Sequence, residues 1–339
     1  MNLLYGIAGV FIILVILKDL ITTTLSFQGA GRITRFISEK IWHLVLKAVG
    51  SKGSSPLLDH IGYLNMVIII LTWVLGMWIG AFLVLLTDSK SVIDSTTNVP
   101  ATVWEKLYFS GYTLSTLGNG DFKTGSALWD ITTNLLAFSG LAFITISITY
   151  IMPVLSAVIL QVKLSVFINC LGDTPQQILV NGWNGQNFDR LLKNDADITD
   201  MLIEHSENHK VYPIIHYFHN SELKKSIIVS LAMLDESISM LKHVVAESAK
   251  PDHKDMELLQ KSLDFYLEVL KQDQKTETNA MPSPPDWSAL EREGIPLNRE
   301  TLEDFNTNAR LKTRRRILAH LLEEDGWSWD DVYAHHPNK

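Results

Sequence analysis

Cysteine and catalytic motifs are nearly absent from this sequence. Its 339 residues include a single cysteine, Cys170, which excludes an internal disulfide. There is no nucleophile elbow, no phosphate-binding glycine loop and no zinc-protease pair of histidines. The glycines of residues 181–185, NGWNG, lack the strand-to-helix context of a dinucleotide-binding turn. We therefore expect a protein that is not an enzyme and that has no resident cofactor or metal.

Charged residues are scarce in the first half of the chain. The formal net charge of -8 comes from 37 acidic and 29 basic residues, and most of the acidic excess follows Lys163. Apolar residues make up 47% of the chain and are concentrated before that position. The mean hydropathy is +0.12. This asymmetry predicts a membrane-embedded half followed by a solvated, acidic half.

Three apolar runs are candidates for membrane-spanning helices. The first covers residues 3–17, and a helix continued to Leu25 reaches the thickness of a hydrocarbon core, about 30 Å. We interpret it as a retained span rather than a cleaved signal peptide, because no cationic region precedes it and no small-residue cleavage pattern follows. It has no regular ladder of arginines, which argues against voltage sensing. The other two candidates are residues 64–86 and 127–162.

A short polar stretch between the second and third runs contains the most specific pattern of the chain. Residues 102–114 are predicted to form a helix, and Thr116-Leu117-Gly118-Asn119-Gly120 follow it. The alternate glycines allow backbone conformations that point a row of carbonyls in one direction. A tight turn would also use Gly-Asn-Gly-Asp, but the position between two spans favours a loop that re-enters the membrane and lines water.

This stretch resembles the pore region of the potassium channel family, specifically the bacterial potassium channel-like proteins. Leu117 and Asn119 stand at the Val and Tyr positions of the Thr-Val-Gly-Tyr-Gly filter, and the resemblance covers residues 64–162. It implies an all-α membrane protein with a tetrameric pore-loop module, built from an outer helix, a pore helix, a filter and an inner helix. A helical cytoplasmic domain would follow this module.

The resemblance also implies roles for individual residues. Carbonyls of residues 116–119 and the Thr116 hydroxyl would coordinate permeant monovalent cations, most simply potassium, while Asp121 would concentrate cations at the outer mouth. Gly140 resembles the hinge glycine of inner helices, although a packing role explains it equally well. Pro153 would kink the same helix and mark a gate.

Asn119 is the main departure from the family pattern. An aromatic residue usually packs outward at this position and holds the filter at its width. Asn119 bonded to Tyr108 or Tyr112 would keep the filter rigid, whereas an unsupported Asn119 would leave a non-selective cation pore. A third possibility, from another class, is a membrane-anchored sensor or scaffold whose pore does not conduct.

The pore loop sets the expected orientation in a cell inner membrane. In the family the loop dips in from outside, so the N-terminus lies outside and the C-terminal domain is cytoplasmic. The positive-inside rule agrees, since it places on the cytoplasmic side Arg32, Arg35, Lys40, Lys47 and Lys52. Residues 31–50 are predicted to form a basic amphipathic helix on the anionic leaflet, with Trp42 at headgroup depth. Packing against a soluble domain is the alternative.

The predicted domains follow from these features. They are the N-terminal span (1–27), an amphipathic linker (28–62), the pore domain (63–162), a helical cytoplasmic domain (163–277) and a C-terminal segment (278–339). In the cytoplasmic domain, apolar periodicity predicts helices over 221–248 and 255–272 that pair as a hairpin. The segment 278–285 is proline-rich and is predicted to be a linker.

Several polar clusters in the C-terminal half have more than one interpretation. We expect His205, His209, His216 and His219 to be solvated or singly bonded, although a metal shared by His205 and His209 is possible. The basic residues Arg310 to Arg316 would meet acidic surface of a neighbour or anionic lipid, and no nucleic acid. Asp325, Asp330 and Asp331 are either an exposed acidic end or a cation site. The partners expected are three further copies of the chain, membrane lipids and a cytoplasmic regulator. The sequence does not identify the stimulus that opens the pore, and pH, calcium, lipid and metal are the alternatives.

Overall fold

The computed structural model of the chain describes residues 2–27, 29–272 and 282–334. These residues form two compact units. The first unit consists of residues 1–39 and 63–155, and the second consists of residues 40–62 and 156–339. Of the proline-rich segment predicted as a linker, residues 278–281 lie outside the described part of the chain.

The fold is almost entirely helical. The helices of the N-terminal half are α1 (Asn2–Leu25), α2 (Arg32–Ala48), α3 (Ile61–Leu85), α4 (Val103–Leu114) and α5 (Ala127–Leu171). Those that follow are α6 (Pro175–Gly182), α7 (Asp189–Leu192), α8 (Asp195–Val211), α9 (Ile227–His243), α10 (His253–Gln272), α11 (Ser288–Arg292), α12 (Arg299–Asp304) and α13 (Ala309–Glu324). Two short strands, β1 (Val92–Asp94) and β2 (Phe122–Thr124), pair antiparallel with Val92 opposite Thr124.

Three helical segments are long and apolar enough to cross a membrane. They are Leu3–Leu25, Leu58–Leu85 and Ala127–Leu171. Each coincides with one of the apolar runs of the sequence. The third continues nine residues beyond the predicted end, because Leu164 and Ile168 of that extension are buried in the apolar core of the second unit.

Glycines allow α1 and α3 to approach closely in the first unit. A β-carbon added at Gly76 would lie 2.6 Å from Ile16, and one added at Gly9 would lie 2.6 Å from the carbonyl oxygen of Gly80. A side chain at Gly9 would clash with the backbone of α3, and one at Gly76 would displace the Ile16 side chain. Small residues therefore bring these helices together, as is common between helices in membranes.

A buried carboxylate ties α1 to α2 and α3. Asp19 is 4% exposed, and its oxygens accept hydrogen bonds from the Thr34 hydroxyl at 2.7 Å, the Ile33 amide at 2.8 Å and the Trp73 indole at 2.9 Å. Thr23 extends the network, because its hydroxyl donates to Thr34 and accepts from the Gly31 amide. A charge at this depth is tolerated only because donors surround it.

Replacing Asp19 by alanine is expected to destabilise the first unit by about 3 kcal/mol or more, because several buried donors then lose their acceptor. The measurement is the thermal melting of detergent-purified protein. Asp130→Ala is the matched control, since the carboxylate of Asp130 is exposed and lies near the start of α5. Equal melting temperatures for the two variants would contradict the structural role of Asp19.

The helices of the second unit share one apolar core, but they do not pair as expected. α10 packs principally along α8, while α9 packs against α6 and α13. The predicted hairpin of α9 and α10 is therefore wrong. α8 was not predicted, because its histidines and acidic residues interrupt its apolar stripe. Without it, α9 and α10 were the only evident pair of helices in this region of the sequence.

Basic residues of α13 form ion pairs inside the second unit. Arg314 donates to both carboxylate oxygens of Asp235, at 2.7 and 2.8 Å, and also bonds to Asp264. The Arg315 guanidinium is 3.1 Å from the Glu236 carboxylate, and both side chains are buried. The expectation that this whole cluster faces a neighbour or lipid is wrong for these two arginines, because their partners lie in the same chain.

The C-terminal end of the second unit packs against residues 40–62. Trp42 is 2% exposed, and its indole donates to the carbonyl of Glu324 at 3.1 Å. The Gly53 amide donates to the Gly326 carbonyl at 2.7 Å. The expected position of Trp42 at headgroup depth is therefore wrong, and the alternative, packing against another part of the protein, is observed for this residue.

Asp325 takes part in the same contact. Its carboxylate lies 3.0 Å from Nδ1 of His219, whose Nε2–H donates to the Gly53 carbonyl at 2.6 Å. Burial of this ring opposes its charge, but the Asp325 carboxylate and the hydrogen bonds outweigh that effect and raise the pKa of His219. Asp331 instead accepts from the amide and hydroxyl of Ser328. Asp325 and Asp331 are thus used for internal contacts, whereas Asp330 is exposed.

Candidate functional site: the pore loop

The pore helix begins and ends where the sequence indicated. Thr102 is the N-cap of α4, and its side chain and that of Glu105 exchange hydrogen bonds with each other's amides in a capping box. At the C-terminal end, the Ser115 amide donates to the Gly111 carbonyl, and the Leu117 amide donates to the Tyr112 carbonyl. The partial negative charge of this helix end therefore lies directly before the filter segment.

The backbone of residues 116–120 alternates between left-handed and ordinary conformations. The φ angles of Thr116, Gly118 and Gly120 are 59°, 60° and 80°, while Leu117 and Asn119 are not among the residues with positive φ. A β-branched residue at positive φ is a strained exception, and such strain concentrates at functional sites. Alternation of this kind turns successive peptide planes so that the carbonyls share one side, the arrangement required to replace the water shell of a cation.

Asn119 has the support that the sequence suggested as one of two possibilities. Its side-chain amide donates a hydrogen bond to the Tyr108 hydroxyl on the pore helix. The Tyr108 ring packs edge to face against Tyr112 at 5.1 Å and against Phe122 at 6.3 Å between centroids. In this chain the Asn119 amide and three aromatic rings therefore occupy the place of the outward-packed aromatic residue that supports the filter in the family.

Residues outside the predicted filter hold its outer end. The Tyr112 hydroxyl donates to the Phe122 carbonyl at 3.0 Å, and the Ser95 hydroxyl donates to the Gly120 carbonyl at 2.7 Å. The Ser95 amide also donates to the Asp121 carbonyl at 3.0 Å. Sequence patterns gave no sign of Ser95, because its position depends on the pairing of two three-residue strands.

Lys106 fixes the other side of the pore helix. It is 3% exposed, and its ammonium group donates to the carbonyls of Leu85 and Asp88 beyond the end of α3. Trp78 of α3 donates to the Leu107 carbonyl at 3.0 Å, and Trp129 of α5 donates to the Asp88 carboxylate at 2.8 Å. The pore helix is thus bonded to α3 and to the residues that follow α3, and α5 is bonded to the same residues through Trp129.

The filter segment faces open space in the single chain. Residues 115–121 are exposed, including Asp121, and Leu117 is 64% exposed. An open groove of about 620 Å³ runs beside them, with Thr116, Gly118 and Gly120 on one side and Asn134 of α5 on the other. Aromatic rings of the pore helix and Lys123 also line the groove. One chain supplies a single row of carbonyls, so a complete ring of carbonyls requires further copies.

The two inner-helix residues singled out in the sequence lie in an unbroken helix. A β-carbon added at Gly140 would lie 1.9 Å from the carbonyl oxygen of Leu114, so this glycine lets α5 touch the end of the pore helix. This contact supports its packing role, and a hinge at Gly140 stays a prediction. Pro153 lies inside α5, and the gate at this position also stays a prediction.

Three of the four clustered histidines are buried rather than solvated as expected, and His216 is half-buried. His205 is 0% and His209 6% exposed, and His219 is also buried. Burial lowers the pKa of His205 to about 4 and, together with His216 and His205, lowers that of His209 well below its usual value. Among the described residues, no group of three histidine, cysteine or acidic side chains is already arranged to hold a metal ion.

Comparison with known proteins agrees with the resemblance found at the pore segment. A family model described as "Ion channel" matches residues 67–157, the region that holds most of α3, the pore loop and the first part of α5. The uncharacterized membrane protein YdjJ of Bacillus subtilis (strain 168) is 30% identical over 338 residues, which cover 97% of this chain and 96% of that protein. No solved structure matches the chain. The chain therefore belongs to the potassium channel-like ion channel family, and it adds an N-terminal membrane-capable helix and a helical C-terminal unit to the pore module.

Proposed function

We propose that four copies of this chain form a channel that conducts monovalent cations passively and prefers potassium. The observation that carries the proposal is the alternation of φ along residues 116–120. Gly118 and Gly120 adopt the left-handed conformation without a steric penalty, whereas Thr116 bears a cost of about 1–2 kcal/mol. Backbone strain of this kind is concentrated at functional sites. Carbonyls of Thr116, Leu117, Gly118 and Asn119 then form the coordinating rings, and Asp121 concentrates cations at the outer mouth.

The contact between Asn119 and Tyr108 supports selectivity over a wide, non-selective pore. A hydrogen bond from the amide to the phenol restrains the filter from outside, and the bonds to the Gly120 and Phe122 carbonyls restrain its outer end. A filter held at fixed width distinguishes potassium from the smaller sodium ion, which would need the carbonyls to move inward.

The exposed surface of the first unit supports a homotetramer in a membrane. Leu117 and the large apolar residues of α5, such as Phe138, are exposed in the single chain. Neighbouring copies and lipid tails would cover them. We place the N-terminus outside and the second unit in the cytoplasm of a cell inner membrane, with the basic start of α2 near anionic lipid. The second unit would then regulate the pore.

Flux from reconstituted vesicles tests the proposal. Vesicles loaded with potassium chloride and diluted into a sodium or an impermeant buffer should release potassium only when they contain the protein, and should release sodium far more slowly in the reverse arrangement. Equal release of both ions would favour a non-selective pore. No release over a range of pH, calcium and zinc concentrations would favour the sensor or scaffold.

Tyr108→Phe is expected to reduce the preference for potassium over sodium by roughly 5- to 10-fold, because each chain loses a hydrogen bond worth about 1 kcal/mol. The measurement is the ratio of the two fluxes in the vesicle assay. Tyr5→Phe, which removes a phenolic hydroxyl from α1, is the matched control and should leave the ratio unchanged. An unchanged ratio in Tyr108→Phe would show that this contact does not set the filter width.

The homotetramer has its own test. Purified protein should have a mass of four chains in mild detergent, measured by light scattering with the detergent contribution subtracted. Chemical crosslinking should give a ladder that stops at the fourth band. A monomer or dimer under conditions that retain flux would contradict the proposed assembly.

A further inference from the structure

A small, partly enclosed cavity lies within the second unit, and four histidines contribute to its lining. It has a volume of about 30 Å³, and its walls include His205 and His209 of α8, His216, His219, Ser226 and Tyr266. A cavity of about 10–15 Å³ holds one water molecule, so this one has room for an ion or for about two waters. It is too small for an organic ligand.

Several polar atoms that face this cavity have no partner in the part of the chain that the structure describes. They are Nδ1 and Nε2 of His205, Nδ1 of His209 and the hydroxyl of Ser226, all on side chains more than nine-tenths buried. Buried polar groups of native proteins are nearly always hydrogen-bonded or ligated. Unpartnered nitrogens around one small space therefore indicate an occupant.

The donor atoms define the class of that occupant. His205 and His209 are four residues apart on one helix, with ring centroids 6.4 Å apart, and the His216 ring lies 5.9 Å from that of His209. His219 cannot act as a metal ligand, because both its ring nitrogens are hydrogen-bonded, one to Asp325 and the other to the Gly53 carbonyl. Imidazole nitrogens without a free carboxylate suit zinc, nickel or copper, whereas magnesium and calcium require oxygen ligands.

We propose that this cavity binds one divalent transition-metal ion, such as zinc. The ion lies between His205 and His209, and His216 is the third ligand. Two imidazoles on one zinc ion have ring centroids about 5 Å apart, given bonds of about 2.0 Å. The His205–His209 and His209–His216 pairs are each about 1 Å farther apart than this, so metal binding requires His209 and His216 to turn toward the cavity. The Ser226 hydroxyl then accepts a hydrogen bond from a metal-bound water.

The test uses the full-length protein in detergent, stripped of metal by a chelator, with zinc chloride as the probe. Calorimetric titration should show saturable binding of one zinc per chain, and the melting temperature should rise with zinc. His205→Gln and His209→Gln should each weaken the affinity by at least about 100-fold, because losing a ligand costs more than losing a hydrogen-bond partner of a ligand. His43→Gln, which removes an exposed histidine of α2, should leave the affinity unchanged.

A spectroscopic measurement keeps the proposal testable if the variants do not fold. Cobalt added to the stripped wild-type protein should give the visible absorption of a tetrahedral site with nitrogen ligands, and zinc should abolish it by competition. Absence of saturable binding, a cobalt spectrum typical of an octahedral oxygen site, or full affinity in His205→Gln would each overturn the proposal. Because binding is measured without ion flux, failure of this proposal is distinct from failure of the proposed channel.

Discussion

Gly118→Ala is expected to reduce potassium flux at least about 100-fold while the protein still folds. The φ of Gly118 is 60°, and no atom lies within 4 Å of the position of an added β-carbon. The substitution therefore creates no clash within the chain, and its cost is the left-handed conformation itself, about 1–2 kcal/mol per chain. All four chains of the tetramer bear this conformational cost. A chain relieves it if the peptide group after residue 118 turns over, which moves its carbonyl out of the pore.

The matched control for Gly118→Ala is Gly294→Ala. Gly294 has a φ of 70° and equally open surroundings, but it lies in the second unit. Both variants bear a similar backbone cost, so they should melt at similar temperatures, and only the filter variant should lose flux. Normal flux in Gly118→Ala, or an equal loss in Gly294→Ala, would contradict the assignment of residues 116–120 as the ion path.

Arg315→Met is expected to destabilise the second unit by about 3–5 kcal/mol, the typical cost of leaving a buried charge without its partner. Arg315 is 2% and Glu236 0% exposed. The guanidinium also donates to the Asn306 side chain at 3.0 Å and to the Ser283 carbonyl at 2.8 Å, and it lies over the Trp329 ring. Its loss therefore frees acceptors in three separate segments.

A double variant separates the buried charge from the lost packing. Glu236→Gln combined with Arg315→Met removes both charges and should recover much of the stability lost by Arg315→Met alone, as measured by calorimetric melting. Arg310→Met is the control, because Arg310 is 74% exposed with its nearest carboxylate at 3.8 Å, and it should change stability by less than about 0.5 kcal/mol. Equal melting of the two single arginine variants would contradict the account of the buried pair.

The sequence predicted the elements whose signals are local. Apolar length located the three membrane-capable helices, and the pore helix was predicted at 102–114 and observed at Val103–Leu114 with Thr102 as its cap. Alternate glycines indicated an unusual backbone, and the positive φ values of Gly118 and Gly120 agree with it. These features depend on a few neighbouring residues, which a single sequence displays completely.

Features that depend on distant partners could not be predicted in this way. Asp19 looked like a charge at the end of a span, and its donors come from residues 14, 15 and 54 positions away. Trp42 looked like an interfacial anchor because it lies in a basic amphipathic helix. Its actual partner, Glu324, is 282 positions away and could not be inferred from the local pattern. His205 looked solvated because acidic residues flank it along α8, although its own face of the helix is buried. Exposure of a polar residue is decided by packing, which periodicity alone does not reveal.

The central claim is that the segment 116–120 forms a potassium-selective path, and a bi-ionic reversal potential tests it most directly. Purified protein in a planar bilayer is given potassium on one side and sodium, at equal activity, on the other. The account predicts a reversal potential displaced strongly toward the potassium equilibrium value, with currents lost in Gly118→Ala. A reversal potential near zero with robust current would contradict it, as would selective current that persists in Gly118→Ala.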